Sequence, residues 1–143
     1  MPRDSDCVFC QIVADTGKCQ LLAENPDALA FMDIHPANPG HCLVIPKGHW
    51  ETVFDIPPDS FAAVARLVVR IATGVQRALD PAGLSLVQAN RPAANQTVAH
   101  LHVHILPRRD DDGLLLNWPR TGAGDRATIA ALAAKIRHHL DRD

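Results

Sequence analysis

The chain has 143 residues, 47% of them hydrophobic, and a formal net charge of −2. That length suits one compact domain with a real core, and the charge gives no basic surface for nucleic acid. No apolar run approaches the roughly 20 residues that span a bilayer, and the opening Met-Pro-Arg-Asp-Ser-Asp lacks an apolar signal core, so a cytoplasmic location is expected, with neither membrane nor nucleic acid as a partner.

Cys7 to Val13 is a short apolar stretch that reads as one or two helical turns. Its Cys7-x-x-Cys10 pair is open between redox chemistry, zinc and two packed thiols. No second pair of this kind follows, so any zinc site must recruit histidines. Cys19 and Cys42 read as structural, and in a reducing compartment no disulfide is expected. Leu21 to Glu24 and Ala28 to Met32 read as strands around the turn Asn25-Pro26-Asp27. After the loop marked by Pro36, Pro39 and Gly40, His41 to Pro46 reads as a buried strand.

Phe61, Val64, Val68, Ile71, Val75 and Leu79 recur at spacings of three and four, which predicts a helix over 58–79. Pro58 suits its first turn, and Asp80-Pro81-Ala82-Gly83 stops it. Leu84 to Ala89 and Val98 to Leu106 read as the fourth and fifth strands. A second helix is predicted near the end, with Ile129, Leu132, Ala133, Ile136 and Leu140 on one stripe. Lys135, Arg137 and Arg142 sit toward its C-terminal end, where the helix dipole favours positive charge. His138 and His139 read as solvated. Strands without regular βαβ alternation predict a single α+β domain with a largely antiparallel, five-stranded sheet.

The fifth strand, in "AHLHVHILPR", alternates His100, His102 and His104 with Leu101, Val103 and Ile105. On a strand the histidines share one face and the aliphatics the other. The aliphatic face is expected in the core and the imidazoles in a cleft, roughly 6.5–7 Å from one another along the chain. Two uses remain open from spacing alone: metal binding, or nucleophilic catalysis by a neutral imidazole whose neighbour moves the proton.

"HLHVHIL" resembles the signature of the histidine triad (HIT) family of nucleotidyl hydrolases and transferases. "QTVAHLHVHILPR", "LAFMDIHPANPGHCLVIPKGH" and "CVFCQIV" are similar to its other blocks, in the family's order over roughly residues 7 to 108. The last block is similar to the start of Hint-like bacterial members. The resemblance implies a HIT-like fold in a homodimer, with residues 109–143 as a tail and helix. It implies hydrolysis or transfer at the α-phosphate of purine nucleotide conjugates, AMP or GMP phosphoramidates or adenylated amines, through a nucleotidyl-histidine intermediate. The alternatives are a dinucleoside polyphosphate hydrolase, or a nucleotide-binding scaffold with little turnover.

Residue by residue, the resemblance makes His102 the nucleophile, has His104 assist the leaving group, and has His41 support both. Gln96 and Thr97 are implied around the phosphate and leaving group, and Asp33 at the ribose hydroxyls. Val8, Phe9, Ile12, Phe31 and Ile34 are implied as an apolar purine slot. It also implies a closed structural zinc site from Cys7, Cys10, His49 and His100. Trp118 reads either as a surface anchor or as an approach to the leaving-group side. One loop departs from the pattern: counting back from Gln96, Ala89 stands where many members have an amide, and Arg91 and Asn95 stand where they have Gly. Asn90 supplies the amide only if the loop shifts by one residue.

Overall fold

The computed structural model describes residues 1–115 and 122–140; Trp118 and Arg142 lie outside the described residues. Five antiparallel strands run β1 (Leu21–Glu24), β2 (Ala28–Met32), β3 (Cys42–Pro46), β4 (Gly83–Gln88) and β5 (Val103–Arg108). Their order across the sheet is β1-β2-β3-β5-β4. Helix α1 (Val8–Ala14) and a 3-10 turn at Thr16–Lys18 precede the sheet, and α2 (Pro58–Leu79) joins β3 to β4. The α+β class and the five antiparallel strands are those the sequence predicts. Among the described residues, no helix is long and apolar enough to cross a membrane.

The period of two along β2 and β3 builds two cores on opposite sheet faces. Ala28, Ala30, Cys42 and Val44 pack with Val103 and Ile105 against Val64, Leu67, Val68, Ile71 and Val75 of α2. Leu29, Phe31, Leu43 and Ile45 pack with Phe9 and Ile12 of α1. His104 pairs with Leu43 across β3 and β5, so its side chain shares the α1 face. The α2 stripe is buried as predicted from Val64 to Val75. Leu79, one turn further on, is 51% exposed, and Leu67 takes a core place the spacing did not mark.

The strand predicted over 98–106 begins only at Val103. Its expected partners run into Pro46, which has no N–H to offer. The backbone groups of the preceding residues are taken elsewhere: Leu101 N–H donates to the Trp50 carbonyl, and the His100 carbonyl accepts from the His102 ring. His100 therefore lies in a bend and His102 in irregular backbone, both outside the ladder.

The chain divides into two compact units, Met1–Gly113 and Leu114–Asp143. The first runs past the end of β5 because the Arg108 guanidinium grips the Asp112 carboxylate at 2.6 and 3.0 Å. The Asn38 amide also donates to that carboxylate. The second unit carries α3 (Arg126–Leu140). Its apolar stripe exists as predicted, but no residue of α3 is buried, and Ile129, Leu132, Ile136 and Leu140 are all exposed.

Candidate active site and metal centre

The α1 face of the sheet carries a cleft of about 550 Å³. Val8, Phe9 and Ile12 reach it from α1, Phe31 from β2, and Asp33 and Ile34 from the loop after it. His41, Thr97, His102 and His104 complete the set that the sequence places there. The walls are apolar because they are also the second core, and the polar groups gather at one end, as in most small-molecule sites.

The ring nitrogens in this cleft are sorted by their backbone partners. A carbonyl only accepts and an amide N–H only donates. His102 Nδ1 lies 2.8 Å from the His100 carbonyl, so Nδ1 carries the proton and Nε2 holds the lone pair. His41 Nδ1 accepts from the Ala37 amide at 3.0 Å, so its Nε2 is protonated. That Nε2 lies 2.8 Å from His104 Nδ1 and 3.4 Å from an Asp33 oxygen. His104 Nδ1 is thus an acceptor, and its proton sits on Nε2. The ring centroids of His102 and His104 are 4.9 Å apart, closer than two residues of flat strand would place them. The arrangement sets a bare imidazole nitrogen beside an imidazole N–H, a base or nucleophile next to an acid.

Burial keeps these rings neutral. His104 is pushed down to about 4 by desolvation, with His102 and His41 adding to the fall and Asp33 opposing it. Desolvation lowers His41 and His102 as well, again against Asp33 and, for His102, against its bond to the His100 carbonyl.

His100 turns away from this work. It is fully buried, and its Nε2–H donates to the Pro46 carbonyl at 2.9 Å, leaving Nδ1 as a lone pair. That Nδ1 lies 3.4 Å from Cys7 Sγ, 3.6 Å from Cys10 Sγ and 3.2 Å from His49 Nδ1, and Cys10 Sγ lies 3.4 Å from His49 Nδ1. A tetrahedron with N and S ligands at roughly 2.0–2.3 Å from its centre has edges of about 3.3–3.8 Å, so the four atoms fit one. The amides of Asp4 and Cys10 point at Cys10 Sγ and Cys7 Sγ, partners that favour thiolates. Cys7, Cys10, His49 and His100 could thus hold a metal ion. Asp33, His41 and His104 also lie close enough together for one. There the Ala37 amide forces a proton onto His41 Nε2, and a ligating nitrogen must be bare, so the hydrogen bonding fits proton transfer instead.

Two of the expected residues are outside the cleft lining. Gln96 does not line the cleft: its amide accepts from Arg91 N–H and donates to the carbonyls of Glu51 and Val98. Asn90 accepts from Val53 N–H and exchanges hydrogen bonds with Gln88. These two amides brace the loop that precedes Thr97. Cys19, read as purely structural, lines the cleft, as do Gln11, Lys18 and His35, which carried no motif signal. Leu43 was findable, since it is the cross-strand partner of His104.

The loop departures leave a physical mark. Arg91 has φ 74° and ψ 162°, and Asn95 has φ 66°. Asn tolerates its position, but Arg91 occupies a region essentially reserved for Gly, at a cost of about 1–3 kcal/mol. The guanidinium stacks 4.9 Å from the Phe54 ring, which offsets about 0.5–1 kcal/mol. Arg91→Gly is expected to stabilise the protein by about 1 kcal/mol, read from the urea midpoint at unchanged slope; a lower midpoint would show that the strain is not there.

Residues 15–111 match the HIT domain. A protein named adenylylsulfatase from Arabidopsis thaliana is 36% identical over 110 residues, which cover 77% of this chain and 56% of that protein. The chain thus spans little more than half of that plant relative. A protein named adenosine 5'-monophosphoramidase from Schizosaccharomyces pombe is 38% identical over 114 residues, 79% of this chain and 83% of that one. A solved HIT family protein from Bacillus anthracis superposes with a TM-score of 0.88 at 30% identity, covering 94% of this chain and 97% of that one. A zinc-bound histidine triad family protein from Mycobacterium smegmatis superposes with a TM-score of 0.72 at 34% identity, covering 95% and 96%.

Proposed function

The chain belongs to the HIT family, and from that premise we propose that it hydrolyses purine nucleoside phosphoramidates or adenylated amines at the α-phosphate. The observation that carries this reading is the pair of opposed tautomers, a bare Nε2 on His102 beside a protonated Nε2 on His104. The names of the relatives support the substrate class.

The chemistry follows from the proton positions. His102 Nε2 attacks the α-phosphorus and forms a P–N bond while the bond from phosphorus to the leaving group breaks. His104 Nε2–H donates a hydrogen bond to the departing atom, which takes its proton from a water molecule, so His104 stays a neutral imidazole. The hydroxide so formed attacks phosphorus and breaks the P–N bond. His102 Nε2 regains its lone pair and the nucleoside monophosphate leaves. The Ala37 amide keeps the His41 proton on Nε2, so the His41–His104 hydrogen bond keeps one direction throughout.

Asp33 donates nothing and keeps acceptor capacity. One of its oxygens accepts from His35 N–H at 2.8 Å and the other lies near His41, with lone pairs left for ribose hydroxyls. The direct test is release of AMP from a model adenosine phosphoramidate, compared between the wild type and Asp33→Ala. The variant is expected to lose about 1.5–3 kcal/mol more on ribonucleotides than on 2′-deoxynucleotides, as for a hydrogen bond to a charged acceptor. Equal loss for both sugars would make Asp33 a turn residue, and no AMP release by the wild type would remove the reaction.

The four-ligand cluster is best read as a structural zinc site. When bound, the ion would cross-link α1, the segment after β3 and His100, and its closed ligand set leaves no position for substrate. An intracellular, reducing location would keep Cys7 and Cys10 available to it. The homodimer is supported by β4, an edge strand with Leu86 55% exposed, and sedimentation equilibrium at twice the chain mass would check it.

A further inference from the structure

We propose that Lys18, together with Gln11 on the same cleft lining, makes this cleft select guanine over adenine nucleotides. The inference rests on the reading that the cleft holds a purine nucleotide. Phosphate at His102 and ribose at Asp33 send the base into the slot between Phe9, Ile12 and Phe31. Those side chains hold a flat ring but carry no donor or acceptor, so they cannot tell one purine from another. Identity has to be read where the cleft offers polar groups to a base, and α1 and the turn after it supply two: Gln11 and Lys18.

Lys18 is exposed at the rim and its ammonium has no ion pair among the described residues; the neighbouring Asp15 carboxylate is engaged by the Gly17 amide. An ammonium only donates. Guanine presents O6 and N7 side by side as acceptors, the edge that Lys and Arg read best. Adenine places its N6 amino group beside N7, so the same ammonium meets a donor next to each acceptor. Gln11 donates from Nε2 to the Ser5 carbonyl at 3.0 Å, which anchors its amide and leaves Oε1 as an acceptor. Guanine carries N1–H and its N2 amino group next to O6, and both donate. A donor-only cation and an anchored acceptor thus match guanine's run of groups.

Calorimetric titration of the wild-type protein with GMP and with AMP tests this without any turnover. GMP is expected to bind about tenfold more tightly, in line with one good base contact. Lys18→Met should bring the ratio of the two Kd values close to one, Lys18→Arg should keep it, and Lys18→Glu should reverse it. The ratio of kcat/KM for guanosine and adenosine phosphoramidates should move in parallel. A wild-type ratio within about twofold of one, or a preference that survives Lys18→Met, would overturn the proposal. If both nucleotides bind but no phosphoramidate is hydrolysed, the reaction is lost and the Kd ratio still decides the base preference. If neither nucleotide binds, both fall.

Discussion

His102→Ala is expected to lower turnover of a nucleoside phosphoramidate by about 10⁴-fold or more, the scale on which loss of a nucleophile is felt, while AMP still binds. On the proposed reading Asp33 and the apolar slot, from other elements, would hold ribose and base, so binding and chemistry should separate. Rapid quenching of wild-type enzyme in base should trap a nucleotidyl adduct on His102, since a P–N bond survives base better than acid. His104→Ala should slow adduct formation most for poor leaving groups, because a good one departs without a proton. An adduct on another histidine, or near-normal turnover by His102→Ala, would sink the assignment.

The same tautomers carry a pH dependence. With His104 held near 4 against an ordinary 6.5, its N–H and the neutral His41–His104 pair persist well below pH 6.5. The acid limb of kcat/KM should therefore fall well below 6.5, and a limb centred there would contradict the buried geometry. Stability moves with it. Between pH 6.5 and about 4 the unfolded chain binds a proton at His104 that the folded chain does not, so the stability held above pH 6.5 is lost as pH falls toward 4.

Removal of the metal is expected to cost more stability than chemistry. Protein purified without added metal should contain about one zinc per chain, and chelation or Cys10→Ala should lower Tm by about 10 °C or more, equivalent to several kcal/mol for a chain of this size. The cluster ties α1 and His49 to the fully buried His100, and the Pro2 carbonyl is bonded to His49 N–H beside them. Without the ion, the His100 Nδ1 lone pair, the His49 ring and two sulfurs face one another in a largely buried space. The folded remainder should keep most of its activity, because no cluster ligand lines the cleft. Protein without metal whose two thiols titrate freely would remove the site.

What the sequence by itself determined is where period and turn chemistry act. The alternation in 100–105 told which side chains part company, and Val103 and Ile105 do lie in the core with His104 on the opposite face. The three-and-four spacing of α2 gave its buried stripe, and the Gly-like positions of Arg91 and Asn95 are the ones with positive φ. Tertiary structure alone decided the division of labour among the histidines. Three imidazoles with identical intrinsic chemistry came to present a bare Nδ1 at the cysteine cluster, a bare Nε2 and an Nε2–H, because the Pro46 carbonyl, the His100 carbonyl and, through His41, the Ala37 amide each dictate one proton position. It also gave the Gln96 and Asn90 amides their partners in the loop before Thr97. A side chain's period is a local property of the backbone, whereas the direction of a hydrogen bond depends on which backbone group a distant segment brings to it.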